Sequence, residues 1–177
     1  EVSKHERWYL YCLKKFFDLE LPKNLSDQKT HVFADCFLSL SARYYLHRDL
    51  DNAHRVLQEA IDWQPELLDE DNLRVADILS HPVCSSSYAW FALGANITSD
   101  EYIDIVCSDL EMRFPAGKAW AKRVRRNFYV YTFFFRGRKS FSETVRLWMA
   151  IFMLERGWVL NRGGWSILFR AFLRRWK

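Results

Sequence analysis

Residues 34–65 decide the fold, and they read ADCFLSLSARYYLHRDLDNAHRVLQEAIDWQP. This stretch predicts two amphipathic helices joined by a tight polar turn at His47-Arg48-Asp49. Apolar residues recur at helical spacing in each half: Phe37, Leu40 and Tyr44 in the first, and Ala53, Val56, Leu57, Ala60 and Ile61 in the second. Pro65 is expected to stop the second helix, because proline cannot continue the hydrogen-bond ladder.

The second helix carries small residues on the face that turns toward the first. Ala53 and Ala60 lie seven residues apart there, so the two backbones can approach closely. The spacing resembles one tetratricopeptide repeat, although Ser41 and Arg48 stand where that repeat has glycine. A single repeat needs neighbours to cover its apolar face. The hairpin therefore predicts an all-α fold, an irregular helical array built around this one unit.

Composition supports a single helical domain over residues 1–177. Half of the residues are hydrophobic and 17% are aromatic, while glycine and proline are sparse. The most apolar stretch, residues 141–160, is interrupted by charged residues and falls short of the roughly 20 apolar residues of a membrane-spanning helix. Because the chain begins at Glu1 without methionine, we expect it to be the C-terminal part of a longer protein.

Local patterns predict further helices around the hairpin. A first helix is expected over 3–20, with Trp8, Cys12, Phe16 and Leu19 on one stripe. A short helix should end at His81-Pro82, followed by a loop over 82–87 and another short helix over 88–95. Capping boxes at Thr98–Glu101 and Ser140–Glu143 predict helices that reach Phe114 and Leu160. The remaining predictions are a long helix over 116–135, a turn over 161–164 and a last helix over 165–177.

Charge is divided unevenly along the chain. Residues 1–112 carry 10 basic and 20 acidic side chains, whereas residues 113–177 carry 16 basic and 2 acidic ones, which together give the net charge of +4. This division has two explanations: an anionic partner for the C-terminal part, or attraction between the two parts. Cys12, Cys36, Cys84 and Cys107 lack close pairing and indicate free thiols in a reducing cytoplasm.

Motifs for catalysis or cofactor binding are weak. Asp49-Leu-Asp51 has the spacing with which nucleotide-sugar transferases bind a divalent metal, but it also suits a turn and a helix N-terminus. Asp69-Glu-Asp71 has the same two interpretations, and we prefer the capping role for both. The five histidines show no metal-ligand spacing. We expect no catalytic residues, cofactor or metal within this chain.

The basic, aromatic C-terminal part is the candidate functional surface. A helix with rings on one face and cations on the other suits the interface of an anionic bilayer. Internal packing of the rings and binding of single-stranded nucleic acid are the alternatives, and nucleic acid is the least favoured. The residues predicted to form a membrane or anion-binding surface are Arg123, Arg126, Trp165, Arg170, Arg174, Arg175, Trp176 and Lys177.

Residues 21–68 resemble the helical region that follows the catalytic domain in bacterial, notably cyanobacterial, family 2 glycosyltransferases. The resemblance is carried by Leu21-Pro22-x-x-Leu25, by Ala42-Arg43-Tyr44-Tyr45-Leu46 with Asp49-Leu50 and Ala53, and by Leu57-x-x-Ala60-Ile61 with Pro65-Glu66-Leu67-Leu68. It implies that sugar-nucleotide and metal sites lie in an upstream α/β domain.

The same resemblance implies an accessory domain of a cell-envelope polysaccharide enzyme. Such a domain would lie in the cytoplasm, on the inner face of the membrane, and contact its own catalytic domain or a partner protein. A stand-alone tetratricopeptide-like adaptor is the alternative. Whether the parent protein is an enzyme depends on the upstream domain, since this chain supplies no catalytic motif of its own.

Overall fold

The computed structural model describes residues 2–19, 22–69, 72–84, 97–135 and 140–175, and these residues contain helices and no strand. The predicted all-α class is therefore confirmed. The α-helices are α1 (Val2–Phe17), α2 (Lys23–Ser26), α3 (Lys29–Leu46), α4 (Leu50–Trp63), α5 (Arg74–Cys84), α6 (Ser99–Arg113), α7 (Gly117–Phe135), α8 (Phe141–Leu154) and α9 (Arg162–Arg175). Two 3₁₀ helices, Pro65–Leu68 and Arg156–Leu160, follow α4 and α8.

Helices α3 and α4 form the predicted hairpin. Ala53 and Ala60 are fully buried between them. The Ser41 hydroxyl, which replaces the glycine of the repeat, donates a hydrogen bond of 2.9 Å to the backbone carbonyl of Ala53. The two helices thus approach closely enough for a side chain on one to bond the backbone of the other. The hairpin turn falls at His47 and Arg48, as predicted.

The other helices extend from this hairpin in a layered array. Helices α1 and α5 both pack on α3, and α5 also contacts α7. Helices α6 and α7 form a second antiparallel pair, and α8 and then α9 continue the array from α7. At the start of α7, a Cβ on Gly117 would lie 1.8 Å from the Leu110 carbonyl oxygen, so only glycine permits this approach to α6.

Two hydrophobic cores hold the array together. The larger one draws its buried residues from α3 to α7 and the segments that link them. The smaller one joins α7, α8, the second 3₁₀ helix and α9, and it consists of Phe133, Leu147, Ile151 and Trp158. Tyr129 of α7 packs against both cores. The C-terminal helices are therefore held by a much smaller apolar cluster than the hairpin.

Ion pairs connect the acidic and basic parts of the chain. Arg125 of α7 pairs with Glu111 of α6 at 2.5 Å, and Arg123 pairs with Asp77 of α5 at 3.3 Å. The Asn127 side chain donates a further hydrogen bond of 2.8 Å to Asp77. Attraction between the two parts, one of the two explanations for the uneven charge, thus accounts for some of the basic residues of α7.

The predicted element ends are confirmed in some places and wrong in others. Both capping boxes are present, with each hydroxyl accepting from the N3 backbone amide and each glutamate accepting from the N-cap amide. The prediction that His81-Pro82 ends a helix was wrong, because α5 runs through Pro82 to Cys84. Pro82 is buried, so packing offsets the backbone hydrogen bond that proline cannot make. The rest of the loop predicted over 82–87 and the helix over 88–95 lie outside the described residues.

The C-terminal boundaries also differ from the prediction. Helix α8 ends at Leu154 rather than Leu160, because Glu155 adopts an extended conformation and the following 3₁₀ helix buries Trp158 in the smaller core. The turn predicted over 161–164 is instead the start of α9. The Asn161 side chain accepts a hydrogen bond of 2.9 Å from the Gly164 amide, and this cap lets the two glycines continue as helix.

Candidate functional site

The candidate site is the exterior of α8, the second 3₁₀ helix and α9. Helix α8 starts at its Ser140 capping box and turns Leu147 and Ile151 toward α7. Helix α9 then packs along α8: the rings of Trp148 and Trp165 lie 5.1 Å apart, and those of Phe141 and Phe172 lie 5.8 Å apart. These ring contacts fix which side of α9 faces outward.

Helix α9 carries apolar side chains around more of its circumference than the rest of the domain covers. Gly164, Ile167, Leu168 and Ala171 lie on the side that packs inward. Beyond them, Phe169 is 62% exposed and Leu173 is 48% exposed. Internal packing, one of the alternatives for this helix, therefore explains only part of its apolar surface.

The neighbouring elements add further exposed apolar side chains. On α8, Met149 and Met153 lie on the side opposite Leu147 and Ile151, and Met153 is 76% exposed. Leu160, at the end of the 3₁₀ helix, is 83% exposed. We call the exposed apolar residues of this region the C-terminal surface: Met149, Met153, Leu160, Trp165, Phe169, Phe172 and Leu173. Exposed apolar side chains concentrated on neighbouring elements mark interaction sites more often than isolated ones do.

Trp165 is held in place although half of it is exposed. Its indole N–H donates a hydrogen bond of 2.6 Å to the Val159 carbonyl, and its ring leans on Trp148. The indole thus bridges α9 and the 3₁₀ helix while one side of the ring faces solvent. An anchored aromatic ring of this kind loses little conformational freedom when a ligand covers it.

Unpaired arginines accompany this surface. Arg146, Arg156, Arg162 and Arg170 are exposed, and none of them makes an ion pair within the described part of the chain. Arg162 lies at positions i−7 and i−11 from Phe169 and Leu173, which places all three on one face of α9. On α8, Arg146 precedes Met149 by three residues and Met153 by seven, so these three residues also share one face. On each of the two helices, an arginine without an ion pair therefore shares one face with two exposed apolar side chains.

The other residues predicted for the surface have different environments. Arg123 pairs with Asp77, and Arg126 pairs with Glu155 at 2.8 Å. Both thus hold elements of the fold together, in addition to any role toward a ligand. Arg174 and Arg175 end α9, but their side chains lie outside the described residues, as do Trp176 and Lys177 entirely.

Arg156, Arg162, Phe169, Phe172 and Leu173 were absent from the predicted site, and so were the upstream residues Arg146, Met149, Met153 and Leu160. The signal for the upstream residues was present in the sequence, since Arg146, Met149 and Met153 recur at helical spacing on the side opposite Leu147 and Ile151. The prediction missed them because residues 141–160 were read as one helix, without assigning an inner and an outer face. Only contact with α7 and α9 identifies which face remains uncovered.

The first acidic motif, Asp49-Leu-Asp51, serves as a cap, whereas at the start of α5 the Arg74 amide donates to the side chain of Asn72. The Asp49 carboxylate accepts hydrogen bonds from the Asn52 backbone amide at 3.3 Å and from the Asn52 side chain at 2.9 Å. Asp51 lies exposed in the first turn of α4, as the capping interpretation requires. Within the described residues no three histidine, cysteine or acidic side chains are grouped to hold a metal ion. Asp71 and the serines of 85–87 lie outside those residues.

Two buried carboxylates bond tyrosine hydroxyls in the larger core. Glu6 of α1 accepts from the Tyr44 hydroxyl and pairs with Arg55 at 2.9 Å. Burial, followed by this hydrogen bond, raises the pKa of Tyr44 to about 12. Asp109 of α6 accepts from the Tyr45 hydroxyl at 2.6 Å and pairs with Arg113. Because each carboxylate is charge-compensated and enclosed, these groups join helices rather than offer a reactive base.

The described cysteines are free thiols in apolar surroundings. Burial raises the pKa of Cys36 to about 11 and that of Cys107 to about 12. Both side chains are therefore protonated at neutral pH, and neither has the thiolate character of a catalytic nucleophile. This agrees with the prediction of structural, unpaired cysteines for Cys36 and Cys107.

None of the described helices is both long and apolar enough to cross a bilayer. Comparison with protein-family models, with curated proteins and with solved structures finds no match to the chain. The resemblance to the glycosyltransferase helical region is therefore still an expectation from residues 21–68. The function of the C-terminal surface is therefore inferred from the chemistry of its own side chains.

Proposed function

We propose that this chain is a non-catalytic accessory domain that docks on an anionic membrane surface through its C-terminal surface. The observation that carries the proposal is the pattern on α9, where Arg162, Phe169 and Leu173 share one exposed face. Rings and aliphatic side chains enter the interfacial region of a bilayer, while arginines contact lipid phosphates. The unpaired state of four arginines favours an anionic partner over simple exposure to water.

The expected strength is that of a reversible contact. Each arginine near an anionic bilayer contributes about 1 kcal/mol, so four contribute about 4 kcal/mol. Burying the exposed parts of Phe169 and Leu173 adds about 2 to 3 kcal/mol. The sum corresponds to an apparent dissociation constant of roughly 10 μM in accessible lipid. Binding should weaken markedly at high salt, because the arginine contribution is screened.

We further propose that the domain belongs to a glycosyltransferase of cell-envelope polysaccharide synthesis, in the cytoplasm on the inner face of the membrane. The resemblance of residues 21–68 supports this assignment. Membrane docking suits it, because such enzymes often act on lipid-linked acceptors. The reading frame upstream of Glu1 tests this part: an α/β domain with an Asp-x-Asp motif is expected, and a start codon next to Glu1 would contradict it.

Vesicle co-sedimentation tests the docking. The chain should bind vesicles that contain phosphatidylglycerol and should not bind vesicles of phosphatidylcholine alone. The double variants Phe169→Ser/Leu173→Ser and Arg162→Glu/Arg170→Glu should each weaken binding at least about tenfold. All four positions are exposed, so both variants should keep the helical circular dichroism of the parent chain.

A matched control comes from the opposite end of the array. The variant Trp8→Ser/Phe16→Ser removes two exposed rings from α1 and should leave vesicle binding unchanged. Docking through the C-terminal surface is refuted if the chain does not sediment with anionic vesicles at low salt, or if the control variant weakens binding as much as the α9 variants. Preferential binding to single-stranded RNA over these vesicles would support the nucleic-acid alternative instead.

A further inference from the structure

Helix α1 carries apolar side chains on two faces, of which only one packs on the domain. Its inner face contacts the larger core through Val2, Leu10, Leu13 and Phe17. Of the stripe predicted from the sequence, Trp8, Cys12 and Phe16 lie on the other side of α1. Leu19 lies in a bend two residues past the end of the helix, which stops at Phe17 and not at residue 20 as predicted. We call these four residues the N-terminal seam. Trp8 is 63% exposed and Phe16 is 44% exposed, so this side of the helix faces outward.

The seam is long enough to receive a helix. Trp8, Cys12 and Phe16 follow at i, i+4 and i+8, which spans about 12 Å of helix, and Leu19 continues the apolar surface just past its end. Because α1 packs on α3 at one end of the array, no further described helix covers the seam. The outermost helices of repeat arrays normally present a polar outer face. An apolar outer face of this length fits the groove mode of helix recognition.

Cations border the seam on both sides. On α1, Lys4 and Lys15 occupy positions i−4 and i+7 relative to Trp8 and therefore lie on the same face. On the α3 side, the Arg43 guanidinium lies 6.0 Å from the centre of the Tyr9 ring, next to the seam. Lys29 lies 5.9 Å from the centre of the ring of Phe17, which belongs to the inner face of α1. None of these four cations makes an ion pair within the described part of the chain.

Most of the nearby carboxylates are already compensated. Glu6 is buried on the inner face of α1 and bonded by Arg55, and Asp35 of α3 is bonded by Arg74 at 2.7 Å. Asp18, between Phe16 and Leu19, is exposed and offsets part of the positive charge. The seam is still locally basic, on a strongly acidic part of the chain, since residues 1–112 carry a net charge of −10. An anionic bilayer or a long nucleic acid would also approach the negatively charged residues around the seam and be repelled by them. A short acidic helix would contact only the basic stripe.

We propose that the N-terminal seam binds an amphipathic α-helix of a partner protein whose apolar stripe is flanked by aspartate and glutamate. The apolar stripe of the partner packs on Trp8, Phe16 and Leu19, and its carboxylates face the lysines of α1 on one side and the cations of α3 on the other. This interaction is independent of the proposed membrane docking, because it uses a different helix at the opposite end of the array.

Two designed peptides test the proposal on the full chain. Each is a helix of about four turns with a leucine stripe, flanked by glutamate in one peptide and by lysine in the other. The readout is the indole N–H resonance of Trp8, identified by its loss in Trp8→Phe. The glutamate peptide should shift this resonance and bind at least about tenfold more tightly than the lysine peptide.

Three variants of the chain locate the contact. Phe16→Ser should weaken the glutamate peptide about tenfold. Lys4→Glu/Lys15→Glu should weaken the glutamate peptide and strengthen the lysine peptide relative to the parent chain, and an unfolded variant would not show this gain of binding. Phe169→Ser, at the C-terminal surface, should change neither affinity and serves as the matched control.

Other outcomes would overturn the proposal. Equal binding of both peptides, or binding of neither, would show that the seam does not select acidic helices. Self-association that Phe16→Ser abolishes would identify a second copy of this chain as the occupant. Binding to anionic vesicles that is lost in Lys4→Glu/Lys15→Glu but kept in Phe169→Ser/Leu173→Ser would identify lipid.

Discussion

Arg48 shows how a single residue adapts the hairpin turn. It adopts a φ of 58°, in the left-handed region where the repeat has glycine. Its guanidinium pairs with Glu101 of α6 at 2.9 Å, with both side chains about half exposed. An exposed pair of this kind is screened by water and contributes little, so it offsets the backbone strain only in part.

We therefore expect Arg48→Gly to stabilise the protein. Removing the strained Cβ should gain about 1 kcal/mol, and losing the exposed ion pair should cost less than this gain. The net increase in the free energy of unfolding is measurable by urea titration. Arg48→Ala is the control, because it loses the ion pair but keeps a Cβ at positive φ. It should be less stable than the parent chain, and a more stable alanine variant would contradict this account.

Tyr44 predicts a specific loss of stability at alkaline pH. Burial and the hydrogen bond to Glu6 raise its pKa in the folded state to about 12, from an ordinary value of 10. The folded state therefore keeps the phenol proton between pH 10 and 12, whereas the unfolded chain releases it. The contribution of Tyr44 to the free energy of unfolding is therefore complete below pH 10 and is lost as the pH rises toward 12.

The variant Tyr44→Phe isolates this contribution. It should cost about 1 kcal/mol at neutral pH, through the lost hydrogen bond, and its free energy of unfolding should fall less steeply between pH 10 and 12. Tyr45, whose pKa is also raised by burial and by its hydrogen bond to Asp109, stays in both proteins and cancels in the comparison. Identical slopes for the two proteins would refute the assignment.

At the scale of elements, the hairpin depends on small residues at the contact between α3 and α4. The hydrogen bond from Ser41 to the Ala53 carbonyl fixes how closely the helices approach. Ala53→Leu should destabilise the protein by about 1 to 3 kcal/mol, because the added carbon atoms must separate the two helices. Gln58→Leu, on the exposed side of α4, is the control and should change stability by less than about 0.5 kcal/mol.

The result is read from urea midpoints of the two leucine variants. Equal effects of the buried and the exposed substitution would mean that the helices do not approach closely at Ala53.

Sequence patterns are most informative for elements that depend on local contacts. The hairpin, both capping boxes and α7 were predicted because each depends on contacts within a few residues. Pro82 and residues 155–164 were mispredicted because burial of Pro82 and Trp158 outweighs local preference.

At the scale of the whole molecule, the two cores imply two levels of stability. Helices α3 and α4 contribute many buried residues to the larger core, whereas α8 and α9 rest on a cluster of four buried residues and leave the rings of Trp165, Phe169 and Phe172 exposed. Backbone amides of α8 and α9 should therefore exchange with solvent through local opening, and those of α3 and α4 only through global unfolding. Native-state hydrogen exchange measures this difference. Equal opening free energies in the two regions would show that the array unfolds as one unit.

Anionic vesicles should change that difference if the proposed docking is right. Lipid that covers the C-terminal surface binds only the folded helices, so the protection of α8 and α9 should rise while that of α3 and α4 stays the same. The Phe169→Ser/Leu173→Ser variant should show no such rise. The comparison between the parent chain and this variant separates docking by the folded surface from nonspecific adsorption of the whole chain.

The sequence by itself determined the helical class, the central hairpin, its caps and the uneven distribution of charge, because these follow from spacing and from interactions between near neighbours. Only the tertiary structure decided which apolar faces are covered. On α1 the apolar side chains of Trp8 and Phe16 lie outside while Glu6 is buried, and on α9 the domain covers only part of the apolar surface. Coverage depends on which distant helix packs against each face, and the periodicity of one helix contains no information about that partner.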